Sequence, residues 1–528
     1  MIATKVVLVT TTSAKELVES IARELLDNYN DLKVEIIITS VPVASLASTE
    51  SILNDLLKHK KQIENTDLVI LPGMLRGSAR KLEEVLGVPV VKGPKYVGDL
   101  PDMIALLKKG MRFSTDVPAD DVIAVDGRRR LNRLLKKLSD VKPCFKIRNV
   151  TFTLRPPPLN LFYELCPAAF SNCRLHRFKN FSTLVEALAK LGYSGVIIGC
   201  DVENCCYGDM QAKMLEVKKH GLLAGIDVYE LSEVPKEVLK LADIILNVTA
   251  EHVEIIARRV QRNTVLVLVP ERTNSLSEAI NSIRKAVKLA ENAGLRKLVI
   301  DPVLKPPLLG LSQSLILLKD AVSLIKYPFL AGPCNVYELM DADSPGIIAL
   351  LTALLFEVGV SNLLITEASR KACGAAEEAA YARKMIYEAF TRKSPPKDTL
   401  YNLLILKDKR KREVQPSSEC LVSRRKAVEE AIPPRMEEVY VKLYVNREAQ
   451  RIIVDVYCKG EVVRYEGRNP LDLGRAIVRE IGLTAEHAMY LGFELSKAYT
   501  ALKTAKDYVQ DDELFTWHGY LGSEKAIN

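Results

Sequence analysis

The sequence predicts an α/β protein in three folded parts: an amino-terminal doubly wound α/β domain, a central TIM (β/α)8 barrel and a small carboxy-terminal α+β domain. Three observations carry that prediction. Short apolar runs alternate with helix-forming segments across residues 1–140, the pattern of an open parallel sheet. Eight further apolar runs follow within residues 150–395, spaced about 20 to 40 residues apart, the arithmetic of eight βα units. Beyond a charged connector at 396–435, residues 436–528 open with two alternating, hairpin-like runs and end in helices.

In the first part, Lys5–Thr10, Val34–Thr39, Leu68–Leu71 and Val88–Val91 are apolar runs of the buried parallel type. A helix pattern covers Ala14–Asn28. The strand exits Thr10-Thr11-Thr12-Ser13 and Pro72-Gly73-Met74-Leu75-Arg76-Gly77 form a candidate crevice. It contains no Gly-x-Gly-x-x-Gly or Walker pattern; Arg76 and Gly77 are suited either to an anion or to a tight turn. Pro156-Pro157-Pro158 lies in a break before the barrel. The barrel strands are expected near Phe162–Leu165, Gly195–Gly199, Leu222–Ile226, Ile244–Leu246, Val265–Val269, Leu298–Ile300, Pro328–Ala331 and Asn362–Ile365. Helices are expected at Ser182–Leu191, Pro235–Leu241, Val253–Arg259, Ser275–Ala293 and Gly346–Val358. At the seventh unit Ala331-Gly332-Pro333-Cys334-Asn335-Val336 leaves the strand, and Ser344-Pro345 starts a helix with a residue able to cap and a proline suited to the first position. In the last part Glu438–Val445 and Arg451–Tyr457 alternate as a hairpin, with a helix over Thr484–Val509. His487 and Glu494, seven residues apart on that helix, share a face; with Lys497 they suit packing or an interface better than catalysis.

Composition narrows the function classes. At 528 residues with 48% hydrophobic content, the chain can bury several cores. The net charge of +8 is spread out, with 27% charged residues; it suits small anionic substrates and gives no reason to expect nucleic acid. The basic stretch Lys407–Arg412 is a solvated linker. No apolar run approaches the roughly 20 residues of a membrane span, and Met1–Thr10 lacks the features of a signal peptide, so a cytoplasmic protein is expected. The ten cysteines are scattered, which predicts reduced thiols in place of a disulfide framework. Sparse glutamine beside abundant lysine, arginine and glutamate is compatible with a thermophilic source. Nothing in the sequence specifies a homodimer, though one is compatible with it.

Chemistry in a (β/α)8 barrel sits where strands end. The exits Gly199-Cys200-Asp201, Asp227, Asn247, Pro270-Glu271-Arg272, Asp301-Pro302, Asn335 and Thr366-Glu367 are polar where the preceding runs are apolar. Seven such exits on one mouth predict a ligand site. Cys200, Cys205 and Cys206 stand beside Asp201, Glu203 and Asp209, but without paired Cys-x-x-Cys spacing they read as a loop of thiols, and no metal ligand set is assigned. Cys334 fits packing at the mouth better than a reactive thiol.

The segments Asp301-Pro302-Val303-Leu304, Gly332-x-x-Asn335-Val336 and Thr366-Glu367-Ala368-Ser369 resemble the pterin-binding barrel superfamily, which includes dihydropteroate synthase and pterin-dependent methyltransferases. Asn335-Val336-Tyr337-Glu338-Leu339-Met340-Asp341-Ala342-Asp343-Ser344, Leu403-Leu404-Ile405-Leu406-Lys407-Asp408-Lys409 and Lys92-Gly93-Pro94-Lys95 resemble the archaeal dihydropteroate synthase-like proteins, and that likeness covers nearly the whole chain. The resemblance implies a reduced pterin as substrate, bound by Asp227, Asn247, Asp301 and Asn335. Asp301 would accept the paired N–H and amino donors of the pterin edge, and Asn247 would offer a donor and an acceptor. Asp227 would orient a ring nitrogen or a bound water. Taken alone, Asp301-Pro302 also suits a turn cap. The serine-arginine-lysine run and arginine-x-histidine pair of dihydropteroate synthases are replaced here by Gly332-Pro333-Cys334-Asn335-Val336 and Thr366-Glu367-Ala368-Ser369-Arg370-Lys371. Arg370 and Lys371 before a helix start are a substitute phosphate site, or a solvated helix start.

Three functions follow from the resemblance. The first is coupling of a hydroxymethyl-dihydropterin diphosphate to an arylamine in tetrahydromethanopterin- or folate-type cofactor biosynthesis, with Mg2+ assisting the leaving diphosphate. The second is methyl transfer from a methyl-tetrahydropterin to a corrinoid protein. The third is pterin binding without catalysis. The catalytic residues are not identified by the sequence.

Overall fold

A computed structural model describes residues 5–95, 97–138, 140–165, 180–199, 206–271, 275–392, 395–397, 399–405, 439–447, 449–458, 461–504, 506, 508–512 and 514. Two compact units emerge, one of residues 1–141 with 383–426 and one of residues 142–382 with 427–528. Among the described residues no helix is long and apolar enough to cross a membrane.

In the first unit four parallel strands, β1 (Lys5–Thr10), β2 (Lys33–Ile38), β3 (Leu68–Leu71) and β4 (Val90–Lys92), lie in the order β2-β1-β3-β4. Side chains alternate across a strand, and here both faces are apolar. Val7, Val9, Val69 and Leu71 pack with Leu56, Ile63, Leu82 and Leu86. Val6, Leu8, Leu68 and Ile70 pack with Val18, Leu25, Met103 and Ile104 on the other face. The sheet is therefore doubly wound. β4 begins after Pro89 rather than at Val88, since proline has no N–H to donate to a ladder.

The second unit contains a hairpin, β5 (Phe145–Ile147) with β6 (Val150–Phe152), and a ring of eight parallel strands. These are β7 (Asn160–Leu165), β8 (Gly195–Gly199), β9 (Leu223–Asp227), β10 (Ile244–Val248), β11 (Val265–Leu268), β12 (Leu298–Ile300), β13 (Leu330–Ala331) and β14 (Asn362–Thr366). The order runs β12-β11-β10-β9-β8-β7-β14-β13. A parallel bridge between Ile300 and Phe329, with Ile300 N donating to Pro328 O at 2.9 Å, joins the two ends. Each strand sits where its apolar run places it, within a few residues.

Alternate strand residues fill the barrel: Phe162, Ile197, Leu223, Ile244, Val265, Val299, Leu330 and Leu364 form one core. Gly225 keeps the centre of that layer open to bulk from both sides. A Cβ on it would lie 2.4 Å from Ile197 Cδ1 and from Ile244 Cγ2. The β5–β6 hairpin, not anticipated from the sequence, joins the same core through Ile147, Val150 and Phe152. Asn160 Nδ2 ties it in place, donating to Thr151 O at 3.0 Å and to Asn362 Oδ1 at 2.9 Å.

Helices Phe181–Lys190, Lys236–Leu241, Leu276–Asn292 and Ser344–Val358 match the expected segments. The helix expected at Val253–Arg259 runs instead over Ala250–Ile256, because Thr249 and His252 form a capping box at its start. Helix Ala375–Arg392 follows Arg370 and Lys371 as expected, and helices Tyr207–Lys219 and Leu311–Leu324 lie in segments for which no helix bounds were given. Ser344 does not cap its helix: its hydroxyl donates to Glu378 Oε2 at 2.7 Å.

The carboxy-terminal residues form an antiparallel meander of β15 (Val439–Asn446), β16 (Arg451–Cys458) and β17 (Glu461–Gly467), covered by helices Pro470–Ile481 and Ala485–Thr504. Val441, Leu443, Ile452, Val454 and Val456 pack on Leu473, Ile477, Leu491 and Leu495. The third strand escapes a hydrophobic pattern search because it is a charged edge; Arg464 on it makes a bidentate pair with buried Asp455 at 2.6 and 2.8 Å. Glu494 is buried and accepts from Lys497 Nζ at 2.7 Å and Tyr508 OH at 2.6 Å, a packing role.

One expectation is corrected. Cys373 is disulfide-bonded, so the thiols are not all reduced. The described Cys144, Cys206, Cys334 and Cys458 are free. Sequence spacing could not reveal the pairing because only the fold brings distant cysteines together. The connector from residue 406 onward, and Cys200, Asp201, Glu203 and Cys205, fall outside the described residues, whereas Cys206 is exposed.

Candidate functional site at the barrel mouth

Strand periodicity aims the acidic residues at the mouth. Phe162, Leu223 and Val299 point into the barrel core. Counting in twos toward the carboxyl ends leads in one step to Glu164 and Asp301, and in two steps, by way of Gly225, to Asp227. All three are half-buried. Burial pushes the Glu164 carboxyl up to about 8, with the charge of Asp227 adding to the shift. Burial likewise raises Asp227, against the pull of its hydrogen bond from Asn247. Asp301 is raised to about 7, first by burial; the hydrogen bond from Val303 opposes this and the Asp227 charge reinforces it. Burial thus raises all three carboxyls, and the Asp227 charge adds to the shift of the other two. Glu164 was missed from the sequence, where it sits among apolar residues as a single acidic letter; its parity with Phe162 was the available signal.

Asn247 reaches the site by a different route. Ile244 and Leu246 face the core, so plain alternation would turn Asn247 outward. The β10–β11 register shifts between Ile245 and Val248, and Asn247 adopts φ +55°. This is a bulge that re-aims a side chain beside a site, using a residue that tolerates left-handed backbone. Its Nδ2 donates to Asp227 Oδ1 at 2.6 Å. His252 Nδ1 lies 3.1 Å from Asn247 O, steadying the turned backbone.

Asp301 serves two readings at once. Oδ1 accepts the Val303 N–H at 2.8 Å, a turn cap, and Oδ2 is left for a ligand. Val303 itself sits at φ +66°, costly for a β-branched residue and of the kind found at ligand clamps. Asn335, at the start of the short helix Cys334–Tyr337, donates from Nδ2 to Leu304 O at 3.0 Å. It clamps the loop that begins at Asp301, and its Oδ1 accepts a weak bond from the Cys334 thiol at 3.9 Å. Cys334 is buried, and burial first, then the charges of Glu164 and Asp301, hold its thiol well above the usual range. It packs here rather than reacts.

Much of the segment Asn335–Ser344 is a staple between the seventh and eighth exits. Tyr337 OH donates to Thr366 O at 2.7 Å and accepts from Thr366 N at 3.0 Å. Glu338 accepts from Ala368 N at 2.8 Å and Ser369 Oγ at 2.5 Å. Lys371 Nζ donates to Met340 O at 2.8 Å and Asp341 Oδ1 at 2.9 Å. The helix start beyond it is already served: Ala376 N donates to the buried carboxylate of Glu367 at 2.8 Å. Arg370 is exposed at the same exit. In the first unit Arg76, weighed as an anion holder, donates to Leu46 O at 2.9 Å and straps two loops together.

The structure therefore brings Asp227, Asn247, Asp301 and Glu164 into one electrostatic group at the mouth, with Asn335 holding its rim. Among the described residues no three Asp, Glu, His or Cys side chains form a metal-ligand cluster. The carboxylate oxygens of Glu164 and Asp227 are nonetheless hard donors of the type magnesium takes, one or two at a time, when a phosphate ligand supplies the rest.

Over 523 residues the chain is 28% identical to the uncharacterized protein MJ0107 of Methanocaldococcus jannaschii, covering 95% of this chain and 98% of that protein. Residues 438–511 match the family described as PterinBD-DUF4346; they are the β15–β17 meander and its helices, not the barrel. Two solved structures are similar over part of the chain. The 7,8-dihydropteroate synthase from Vibrio fischeri ES114 aligns with a TM-score of 0.36 and 18% identity, covering 47% of this chain and 97% of that one. A truncated form of 3-deoxy-D-arabino-heptulosonate 7-phosphate synthase from Thermotoga maritima aligns with a TM-score of 0.33 and 12% identity, covering 47% and 90%.

Proposed function

We propose that this chain is a pterin-binding transferase that joins a hydroxymethyl-dihydropterin diphosphate to an arylamine in tetrahydromethanopterin- or folate-type cofactor biosynthesis. The observation that carries the reading is Asp301. Its carboxyl is fixed by one oxygen to its own turn, half-buried at the barrel mouth, with the second oxygen available. A pterin edge offers two adjacent N–H donors, which a carboxylate accepts together. Such donors favour the ionised form, so binding would release the proton that burial retains near neutral pH. The Asp227–Asn247 pair would present an oxygen and an amide carbonyl to the remaining ring heteroatoms. The family matched at residues 438–511, described by a pterin-binding domain, supports the same ligand class.

In the coupling step the bond from the pterin methylene to diphosphate oxygen breaks and the arylamine nitrogen forms the new bond, losing a proton. The residues here would bind and orient the pterin and shield its cationic methylene from water. Glu164 and Asp227 would hold a magnesium ion, whose chemistry is to neutralise charge on the departing diphosphate. Arg370 would meet the diphosphate at the eighth exit, and Lys371 could join it only by leaving Asp341. A second reading, methyl transfer from a methyl-tetrahydropterin, is favoured by one feature: the seventh exit carries Asn335, not a lysine, and its Oδ1 would approach the methyl-bearing nitrogen in exchange for its weak contact with the Cys334 thiol.

Calorimetry with pterin, pterin diphosphate and methyl-tetrahydropterin, followed by assay of diphosphate release with an arylamine, tests the proposal. Tight pterin diphosphate binding with release supports it. Preference for the methylated pterin without release supports the second reading. Binding without either reaction assigns a non-catalytic pterin-binding role, and no pterin binding at all overturns the site.

A further inference from the structure

The amino-terminal sheet has a topological switch point. β1 connects to β2 through the helix Lys15–Asn28, and β3 connects to β4 on its other side through the helix Arg80–Leu86. These helices pack on opposite faces, the first with Val18 and Leu25 and the second with Leu82 and Leu86. The chain therefore leaves adjacent β1 and β3 in opposite directions, which opens a crevice at their carboxyl ends, where ligands of such sheets bind.

A cavity of about 180 Å³ occupies that place. Its walls are apolar, including Leu8, Leu17, Ile70 and Leu100. The loops above it close in because β3 and β4 exit in contact: Gly73 N donates to Pro94 O at 3.1 Å, and a Cβ on Gly73 would lie 2.4 Å from Gly93 O. Thr10 and Thr11 line the cavity at 2% and 3% exposure. Neither hydroxyl oxygen is among the sealed, unpartnered side-chain atoms of the described residues, so both stay accessible from the cavity they line. Lys95, the cation at the rim, is already engaged: its N–H donates to Asp120 Oδ2 at 2.7 Å and its Nζ to Asp121 Oδ1 at 3.0 Å.

We propose that the amino-terminal domain binds a second small molecule here: a single uncharged aromatic ring carrying one hydroxyl or amino substituent. An apolar cavity of about 150 Å³ accommodates benzene, so this volume fits one ring. The two threonine hydroxyls supply the partners for one polar substituent. The paired lysine leaves no charge to compensate a carboxylate. This site is separate from the barrel mouth and does not depend on the pterin reading.

Calorimetry on the full-length chain with phenol, aniline, toluene and benzoate tests it. Phenol and aniline are expected to bind saturably, with toluene about tenfold weaker for want of the hydrogen bond and benzoate weaker still. The double variant Thr10→Val, Thr11→Val keeps the cavity's shape. It should lower phenol affinity about tenfold while toluene binding persists, which also reports that the domain is folded. Asp301→Asn should leave phenol binding unchanged. Absence of saturable binding by all four probes overturns the proposal. So does benzoate binding as well as phenol, or phenol binding indifferent to the valine pair.

Discussion

The two ends of one barrel are built on opposite principles. At the base the β5–β6 hairpin inserts Phe152 between Phe145 and Phe162, with ring centroids 4.8 and 6.1 Å apart and near-parallel planes. The packing there is largely apolar, and Asn160 is hydrogen-bonded through both its amide nitrogen and its amide oxygen. Two to four residues further along such strands, the mouth gathers three carboxyls raised by burial, two of them also by the Asp227 charge, with a left-handed asparagine and a left-handed valine. The base holds the ring closed; the mouth holds groups in states that a stability-optimised protein would avoid. That contrast supports the proposed site at the mouth more than any single residue does.

The contrast can be broken most directly at the base. Phe152→Ala is expected to lower stability by about 3–5 kcal/mol in denaturant titration, with pterin affinity of the folded fraction unchanged. Were a mouth substitution to cost as much stability, the division of labour would be wrong. At the mouth, Asp301→Asn should weaken pterin binding by about 2–3 kcal/mol, read by calorimetry, without lowering the melting temperature at pH 8.

The pH response sharpens the same comparison. Glu164 and Asp301 carry folded pKa values near 8 and 7, raised above their ordinary values of 4.5 and 3.8. Between those limits the folded chain retains protons the unfolded chain has released, so stability falls as pH rises from about 4 to 8 and levels beyond. A melting series from pH 5 to 8 should show that slope, and the double variant Glu164→Gln, Asp301→Asn should flatten it. A slope untouched by the pair would place the buried protons elsewhere. Pterin affinity should rise across the same interval as Asp301 ionises.

Smaller effects separate conformation from contact. Asn247→Ala must hold a left-handed backbone at a cost of about 1–2 kcal/mol, whereas Asn247→Gly should cost less while losing the same bond to Asp227. Equal destabilisation by both would mean the bulge contributes no strain. Smallest of all, Lys371→Ala breaks a surface pair with Asp341 and should change stability by less than about 1 kcal/mol.

Hydrophobic run length and spacing determined the eight barrel strands, the doubly wound sheet and the polarity of the strand exits, because a strand buried on both faces must be apolar along its length. Asp227 and Asp301 were legible for the same reason: an acid ending such a run at the core's own parity has nowhere to point but the mouth. Glu164 obeys that rule as well, and only the neighbouring carboxylates give it significance. The remainder belonged to tertiary structure. Asn247 reaches Asp227 through a bulge that reverses its strand parity, and Asn335, Tyr337 and Glu338 act as clamps on loops distant in sequence. The hairpin plug, the Cys373 disulfide and the cavity beneath Thr10 and Thr11 exist only once separate segments meet. Periodicity is a local property of the chain, whereas register shifts, loop clamps and raised pKa values depend on which distant groups the closed fold sets side by side.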